Sequence, residues 1–394
     1  MAGHPIAALA DDLTGAAEIA AIGNCHGLPT RIFSSTDSAT CDGLAVHDSD
    51  SRLLSSAEAA QRVSTISRRI AVQKPTFVFK KTDSVLRGNV VAEVVALAKA
   101  LNLQRVLLVP ANPSLGRTIS NGQYFIQGTP INETSFAKDP HHPAKSSNVA
   151  DLLGPSLDWP VNIIKVNEPM PDRGIIVGEA TSSHDVSHWA SRFDAHTLPA
   201  GGAEFFQACL KQLQFVPKPV ALPSFTGPAL VITGSLTPAR EKLIAHATAA
   251  SWPVHTMPAS LAGHREQAFS LWLTSLTRTL ADRHLALTQS PKIDLADHAT
   301  SMRIRENFAE FVKRLLSENT LNHLVVEGGA TAAAISETAG WTSFDVVGEW
   351  ATGVIALRPT KAPQILFTIK PGSYTWPEIL WRELDAVCIA ATKS

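Results

Sequence analysis

Cysteine is scarce and unpatterned: Cys25, Cys41, Cys209 and Cys388 lie far apart, with no CxxC pair and no Cys/His ligand spacing. That excludes a disulfide framework and a cysteine-built metal site, and it predicts a reduced, cytoplasmic chain. Long apolar runs are missing as well. Nothing approaches the roughly 20 continuous apolar residues that cross a bilayer, so no membrane partner is expected. Net charge is nearly absent, with 34 Lys and Arg against 35 Asp and Glu. No global field is available to hold nucleic acid or an anionic surface, and any anion must be bound by a local site. The N-terminal MAGHPIAALADDLTGA has no basic leader, and Asp11 and Asp12 interrupt its apolar stretch. It reads as a first strand, not as a signal peptide.

What is present is ordinary globular material: 394 residues, 45% hydrophobic and 18% charged. That length favours two hydrophobic cores over one. Short apolar runs alternate with helical patterns: strands at Ile6–Ala10, Thr30–Phe33, Leu44–His47, Thr76–Lys80 and Arg105–Val109, and helices at Thr14–Cys25, Ser56–Ile70 and Val90–Leu101. The expectation is an α/β fold of two α/β domains, each with a mainly parallel or mixed sheet flanked by helices. Pro110 to Pro143 is rich in Pro, Gly, Asn and Thr and reads as hairpins and ordered loops. The prolines between Val216 and Pro228 suit a linker, which places the domains at 1–222 and 223–394. Strand and helix signals restart at Ala229–Thr233 and Pro238–Ala250 and recur at His323–Val326 and Ala330–Ala339.

In such sheets ligands sit beyond the carboxyl ends of the strands, so the polar clusters there carry the chemistry. Asp11 and Asp12 stand where the first strand becomes a helix. They serve as helix caps, or they hold a sugar hydroxyl and accept its proton; local physics leaves both open. Asp48-Ser-Asp-Ser-Arg52 follows another strand. Arg52 binds a ligand carboxylate by a bidentate contact or closes a solvated Asp–Arg loop. Lys80-Lys81-Thr82-Asp83-Ser84-Val85-Leu86-Arg87-Gly88-Asn89 follows a third strand. Its charge mixture is costly to bury without partners, and a cleft for an anionic, hydroxyl-rich ligand accounts for it better than a structural network.

The segments ADDLTGA, DSDSRLLSSAEAA and KKTDSVLRGN, in this order and approximate spacing, resemble the four-carbon acid sugar kinase family. The stretch PANPSLGRTISNGQYFIQGTPINETSFAKDP is similar to that family's long signature, in which Arg117, Glu133 and Asp139 are suited to shape a polar site. The resemblance continues through ITGSLTP at Ile232–Pro238, VVEGGAT at Val325–Thr331 and FTIKPG at Phe367–Gly372. It implies an ATP-dependent kinase that phosphorylates a hydroxyl, the terminal one, of threonate, erythronate, a 3-oxo relative or a longer acid. Asp12 is the first choice for the base and Asp83 the second, with Asp11, Arg52, Lys81, Ser84 and Arg87 holding the acid. Ser235, Gly328, Gly329, Thr331, Lys370 and Gly372 would hold ATP, with Mg2+ bridging phosphate oxygens and its ligands unassigned. Neither a Walker A sequence nor the protein-kinase motif set occurs, so the nucleotide site is of another type. Two departures stand out: Ala330 replaces a common acidic residue, and Ser373-Tyr374-Thr375 replaces a more glycine-rich stretch. A sugar-acid lyase or aldolase, or a non-catalytic sugar-acid sensor, would use the same N-terminal cleft without ATP transfer. A homodimer is a further possibility on which the sequence is silent.

Overall fold

The computed structural model describes residues 6–34, 41–139, 141–156, 158–234, 238–263, 266–291, 298–318, 321–372 and 374–393. The chain forms two compact units, Met1–Pro219 and Val220–Ser394.

In the first unit β1 (Ile6–Ala10), β2 (Thr30–Phe33), β3 (Leu44–Asp48), β4 (Phe77–Lys81) and β5 (Arg105–Val109) alternate with α1 (Leu13–Cys25), α2 (Ser56–Val72) and α3 (Val90–Ala100). A small antiparallel sheet of β6 (Arg117–Ser120), β7 (Gln123–Ile126) and β8 (Thr129–Pro130) follows. The unit continues through α4 (Val149–Leu153), β9 (Val161–Ile164), β10 (Gly174–Gly178), α5 (Ser183–Ala190), β11 (Thr197–Gly201) and α6 (Ala203–Gln212). The main strands lie in the order β2-β3-β1-β4-β11-β5-β10-β9 and every pairing is parallel. Strands β1, β3, β10 and β11 are buried along their whole length, as a sheet covered by helices on both faces requires. Small residues let α1 approach closely. A Cβ on Gly23 would meet Leu44 Cδ2 at 2.3 Å, so the contact leaves no room for a side chain. Helix α2 is started by a capping box between Ser55 and Glu58. The register sets Ala10 opposite Asp48, so the ends of β1 and β3 finish together, with β4 on the other side of β1.

The second unit contains β12 (Ala229–Thr233), α7 (Pro238–Ala249), β13 (Val254–Thr256), α8 (Glu266–Arg283), β14 (Leu285–Gln289), α9 (His298–Ser317), β15 (His323–Glu327) and α10 (Gly329–Thr338). It ends with β16 (Ser343–Ala351), β17 (Val354–Pro359), β18 (Leu366–Lys370) and α11 (Glu378–Lys393). Its strands run β13-β14-β12-β15-β18-β17-β16, parallel as far as β18 and antiparallel beyond it. Trp252, Trp350, Trp376 and Leu380 help to fill one core of this unit. Among the described residues no helix is long and apolar enough to cross a membrane.

His323 is wholly buried in β15, with the Phe225 ring centroid 4.0 Å away and Nε2 2.8 Å from Thr368 Oγ1. Burial lowers its pKa to about 3. The unfolded chain takes up a proton near pH 6.5 that the folded unit refuses, so this contribution to stability is complete above about 6.5 and is lost as pH falls toward 3. The slope reaches about 1.4 kcal/mol per pH unit for one proton. Thermal unfolding of the second unit between pH 7 and 4 should fall less steeply in His323→Gln than in the parent chain; parallel curves would dismiss this histidine as the cause.

Candidate functional site

At the carboxyl ends of β1, β3 and β4 the chain gathers charge of both signs. Asp12 caps α1, taking the Gly15 amide at 2.8 Å and the Thr14 hydroxyl at 2.7 Å. Arg52, from the turn after β3, reaches back: Nε and Nη2 donate to the two oxygens of Asp11 at 2.7 and 2.9 Å, and Nη1 donates to Asp12 at 2.6 Å. Burial pulls the Asp11 carboxyl upward, but the Arg52 guanidinium outweighs it and holds the group below its ordinary value. The expected carboxylate anchor therefore spends three N–H groups inside the protein. Others remain for a ligand.

Asp83 is enclosed by its own loop. It accepts from the Arg87 backbone at 3.1 Å and from the Arg87 guanidinium at 2.9 Å through each oxygen. Burial raises its pKa and the guanidinium groups of Arg87 and Arg52 more than reverse that, so Asp83 is a firm anion. The loop needs left-handed backbone at Leu86 (φ +64°) and Gly88 (φ +87°), and a Cβ at Gly88 would stand 3.1 Å from Arg52 Cγ. These turns return the Arg87 amide and side chain to Asp83. Arg87 Nη1 also donates to Asp139 at 3.0 Å, while Asp139 takes the His141 and His142 amides. Arg117 donates to Ser84 Oγ and Tyr124 donates to the Ser84 carbonyl, so the small sheet buttresses the loop from behind. Glu133, by contrast, is exposed.

The two lysines of β4 point to different partners. Lys80, fully buried, pairs with Glu93 at 2.7 Å, and Lys81 pairs with Glu18 at 3.4 Å. Lys81 also lies beside the start of α1, with Nζ 3.6 Å from where a Gly15 Cβ would be. Next to Arg87 a cavity of about 250 Å³ is lined by Val85, Leu86, Phe136, His142 and Lys145. Asp11, Asp12, Arg52, Lys81, Asp83, Ser84 and Arg87 thus belong to one neighbourhood. Glu93 and Glu18 are additions from helices, where a glutamate reads as a solvated residue.

The second unit builds a different arrangement at the ends of β14, β12, β15 and β18. Glu327 is fully buried, accepts from Thr233 Oγ1 at 2.5 Å and pairs with Lys370 Nζ at 3.0 Å. Lys370 also donates to the Pro371 carbonyl at 2.9 Å and stands 5.0 Å from the Trp376 ring centroid. Its ammonium, expected at a phosphate, is enclosed by protein. Arg240 donates to Ser290 Oγ at 3.1 Å and to Gln289 at 2.9 Å. Gly328 has φ +106° and donates its amide to the Lys370 carbonyl at 2.8 Å; Gly329 then opens α10, with Thr331 buried in its first turn. The Thr331 hydroxyl stands 3.2 Å from where a Gly234 Cβ would lie. Gly372 follows β18, Ala330 is exposed, and Ser235 and Ser373 lie outside the described residues. The signal for Glu327 was its place before two glycines at a strand end. Arg240 carried none, being one arginine on a helix.

Residues 6–196 match the family described as the sugar-binding N-terminal domain, and residues 230–374 match the nucleotide-binding C-terminal domain. A D-threonate kinase of Salmonella typhimurium is 24% identical over 380 residues, covering 87% of this chain and 88% of the relative. A 3-oxo-tetronate kinase of Methylobacterium radiotolerans is 23% identical over 435 residues, covering 96% and 98%. A crystal structure of a Salmonella typhimurium LT2 protein shares the fold with a TM-score of 0.77 at 20% identity, over 96% of this chain and 98% of that one.

Proposed function

The chain belongs to the four-carbon acid sugar kinase family, which joins a sugar-binding N-terminal domain to a nucleotide-binding C-terminal domain, and from that premise we propose that it is an ATP-dependent kinase phosphorylating the terminal hydroxyl of a four-carbon sugar acid or its 3-oxo derivative. The observation that carries the reading is the strand-end cluster of the first unit, where Asp11, Asp12 and Asp83 are interleaved with Arg52, Lys81 and Arg87. Carboxylates suit the hydroxyls of such an acid, and guanidinium and ammonium groups suit its carboxylate.

In the second unit Gly328, Gly329, Thr331 and Gly372 form the proposed nucleotide surface, with Ser235 assigned to the same site from sequence. The amides at the start of α10 provide the positive end of a helix for phosphate. Lys370 and Glu327 brace the strands beneath it. Magnesium would come with the nucleotide and would supply neutralising charge there; among the described residues no group of three or more His, Cys, Asp or Glu is placed to hold a metal ion by itself. Phosphoryl transfer depends on positioning and charge stabilisation, and fixed guanidinium and ammonium groups supply both.

ADP release coupled to a spectroscopic readout, with ATP, magnesium and a panel of D-threonate, D-erythronate and 3-oxo-tetronate, tests donor and acceptor together. Turnover with at least one acid is expected; a folded chain that releases no ADP above background with any of them refutes the kinase reading.

Gly328→Val examines the nucleotide surface separately. A β-branched side chain at φ +106° is strained and stands where phosphate approaches. ATP affinity in the full chain should fall by about tenfold or more while D-threonate affinity holds, both by calorimetric titration. Unchanged ATP binding in the folded variant removes this turn from the site.

A further inference from the structure

Resting on the kinase reading, we propose that Asp48 is the catalytic residue that takes the proton from the acid's attacking hydroxyl. The argument is one of vacancy among neighbours. Both oxygens of Asp11 receive Arg52 at 2.9 and 2.7 Å. Asp12 Oδ1 receives the Gly15 amide, and Oδ2 receives Thr14 and Arg52. Asp83 Oδ1 receives Arg87, and Oδ2 receives both the Arg87 amide and its side chain. Asp11 and Asp83 thus accept from a guanidinium through both oxygens and Asp12 through one, and a carboxylate paired with a cation is a poorer proton acceptor than one without.

Asp48 differs. It ends β3 directly opposite Ala10, so it stands at the same sheet edge as the other three carboxylates. Its Oδ1 accepts the Asp50 amide at 2.9 Å, and among the described residues Oδ2 accepts nothing and no cation pairs with the group. The charged groups that act on it most strongly are acidic: Asp50 from its own turn, 3.8 Å from Arg62, and Asp12 and Asp11 from the β1–α1 junction, both paired with Arg52. Burial first, then these neighbours, raise the Asp48 carboxyl well above its ordinary value, which makes it a stronger proton acceptor when ionised than an ordinary carboxylate. A second polar atom near these strand ends is also left without a partner. Thr82 Oγ1, at the end of β4, is buried without a hydrogen-bond partner among the described residues.

The step balances. The acceptor O–H bond breaks as its oxygen bonds to the γ-phosphorus of the nucleoside triphosphate, the bond from that phosphorus to the β,γ-bridging oxygen breaks, the nucleoside diphosphate leaves, and the proton passes to Asp48 Oδ2.

Asp48→Asn keeps an acceptor for the Asp50 amide and removes the base. With ATP, magnesium and D-threonate as probes, or whichever acid the parent chain turns over, kcat should fall by about 100-fold or more. The acid Kd, the ATP KM and the unfolding temperature should stay near parental values. Retention of more than about a tenth of kcat overturns the assignment, and so does a loss of kcat matched by an equal loss of acid binding. Absence of turnover in the parent chain with every acid tested fails the kinase reading itself and this proposal with it.

Discussion

Arg52→Ala should lower the stability of the first unit by about 3–5 kcal/mol, the cost of leaving a buried carboxylate without its partner. The side chain is only 17% exposed and bridges Asp11 and Asp12, with Asp83 at 3.9 Å, so solvent does little to replace it. Arg52→Lys should recover little, because an ammonium cannot make the paired contacts to both Asp11 oxygens while reaching Asp12. Two units make one global transition unsafe, so the loss is best read by native-state hydrogen exchange in β1 and β3. The deficit should shrink on acidification. Without Arg52 the burial that pulls Asp11 upward acts unopposed by that guanidinium, which lifts its folded pKa above the unfolded one. Such a group contributes stability below the unfolded pKa and loses it as pH rises through the folded pKa. D-threonate affinity should fall at least tenfold alongside, with ATP affinity unchanged. Parental exchange rates in Arg52→Ala would show that water compensates the aspartates.

The strand ends were legible because they rest on local pattern. Ile6–Ala10 is an apolar run stopped by two aspartates, and it is β1 as read. The third strand runs one residue beyond its expected end to include Asp48, because the parallel register with Ala10 continues that far. Likewise β4 includes Lys81, whose amine turns toward α1. Partners were harder to read. The sequence offers Arg52 as a ligand anchor or as part of a solvated Asp–Arg loop, but its pairing with residues 40 and 41 positions earlier follows from the strand order. Glu93 sits on a helix, where periodicity gives a glutamate no reason to be buried; only the packing of α3 over Lys80 makes it a counterion. Asp48 was visible merely as one acid in an acidic turn. Its distinction lies in what its neighbours have already bonded to, which is tertiary information.

In the second unit the same reasoning turns on Lys370. Both partners of its bridge to Glu327 are wholly excluded from solvent, so neither charge has water to fall back on. Burial lowers the Lys370 pKa and the Glu327 carboxylate partly restores it. Lys370→Met should therefore destabilise the unit by about 3–5 kcal/mol, because Glu327 keeps Thr233 and the field of Arg240 but loses its direct ion pair with the Lys370 ammonium. Adding Glu327→Gln should return most of that loss, since the desolvation cost of both ions disappears together. Urea unfolding of the four chains in a double-mutant cycle measures the coupling. A phosphate-binding lysine would behave otherwise: Lys370→Met would weaken ATP binding and leave stability nearly parental, and Glu327→Gln would rescue nothing. The expected order is stability first, with nucleotide affinity following because the Lys370 carbonyl holds the Gly328 amide at 2.8 Å. If the double variant is stable and still binds ATP poorly, the ammonium is needed at the nucleotide and the bracing role fails.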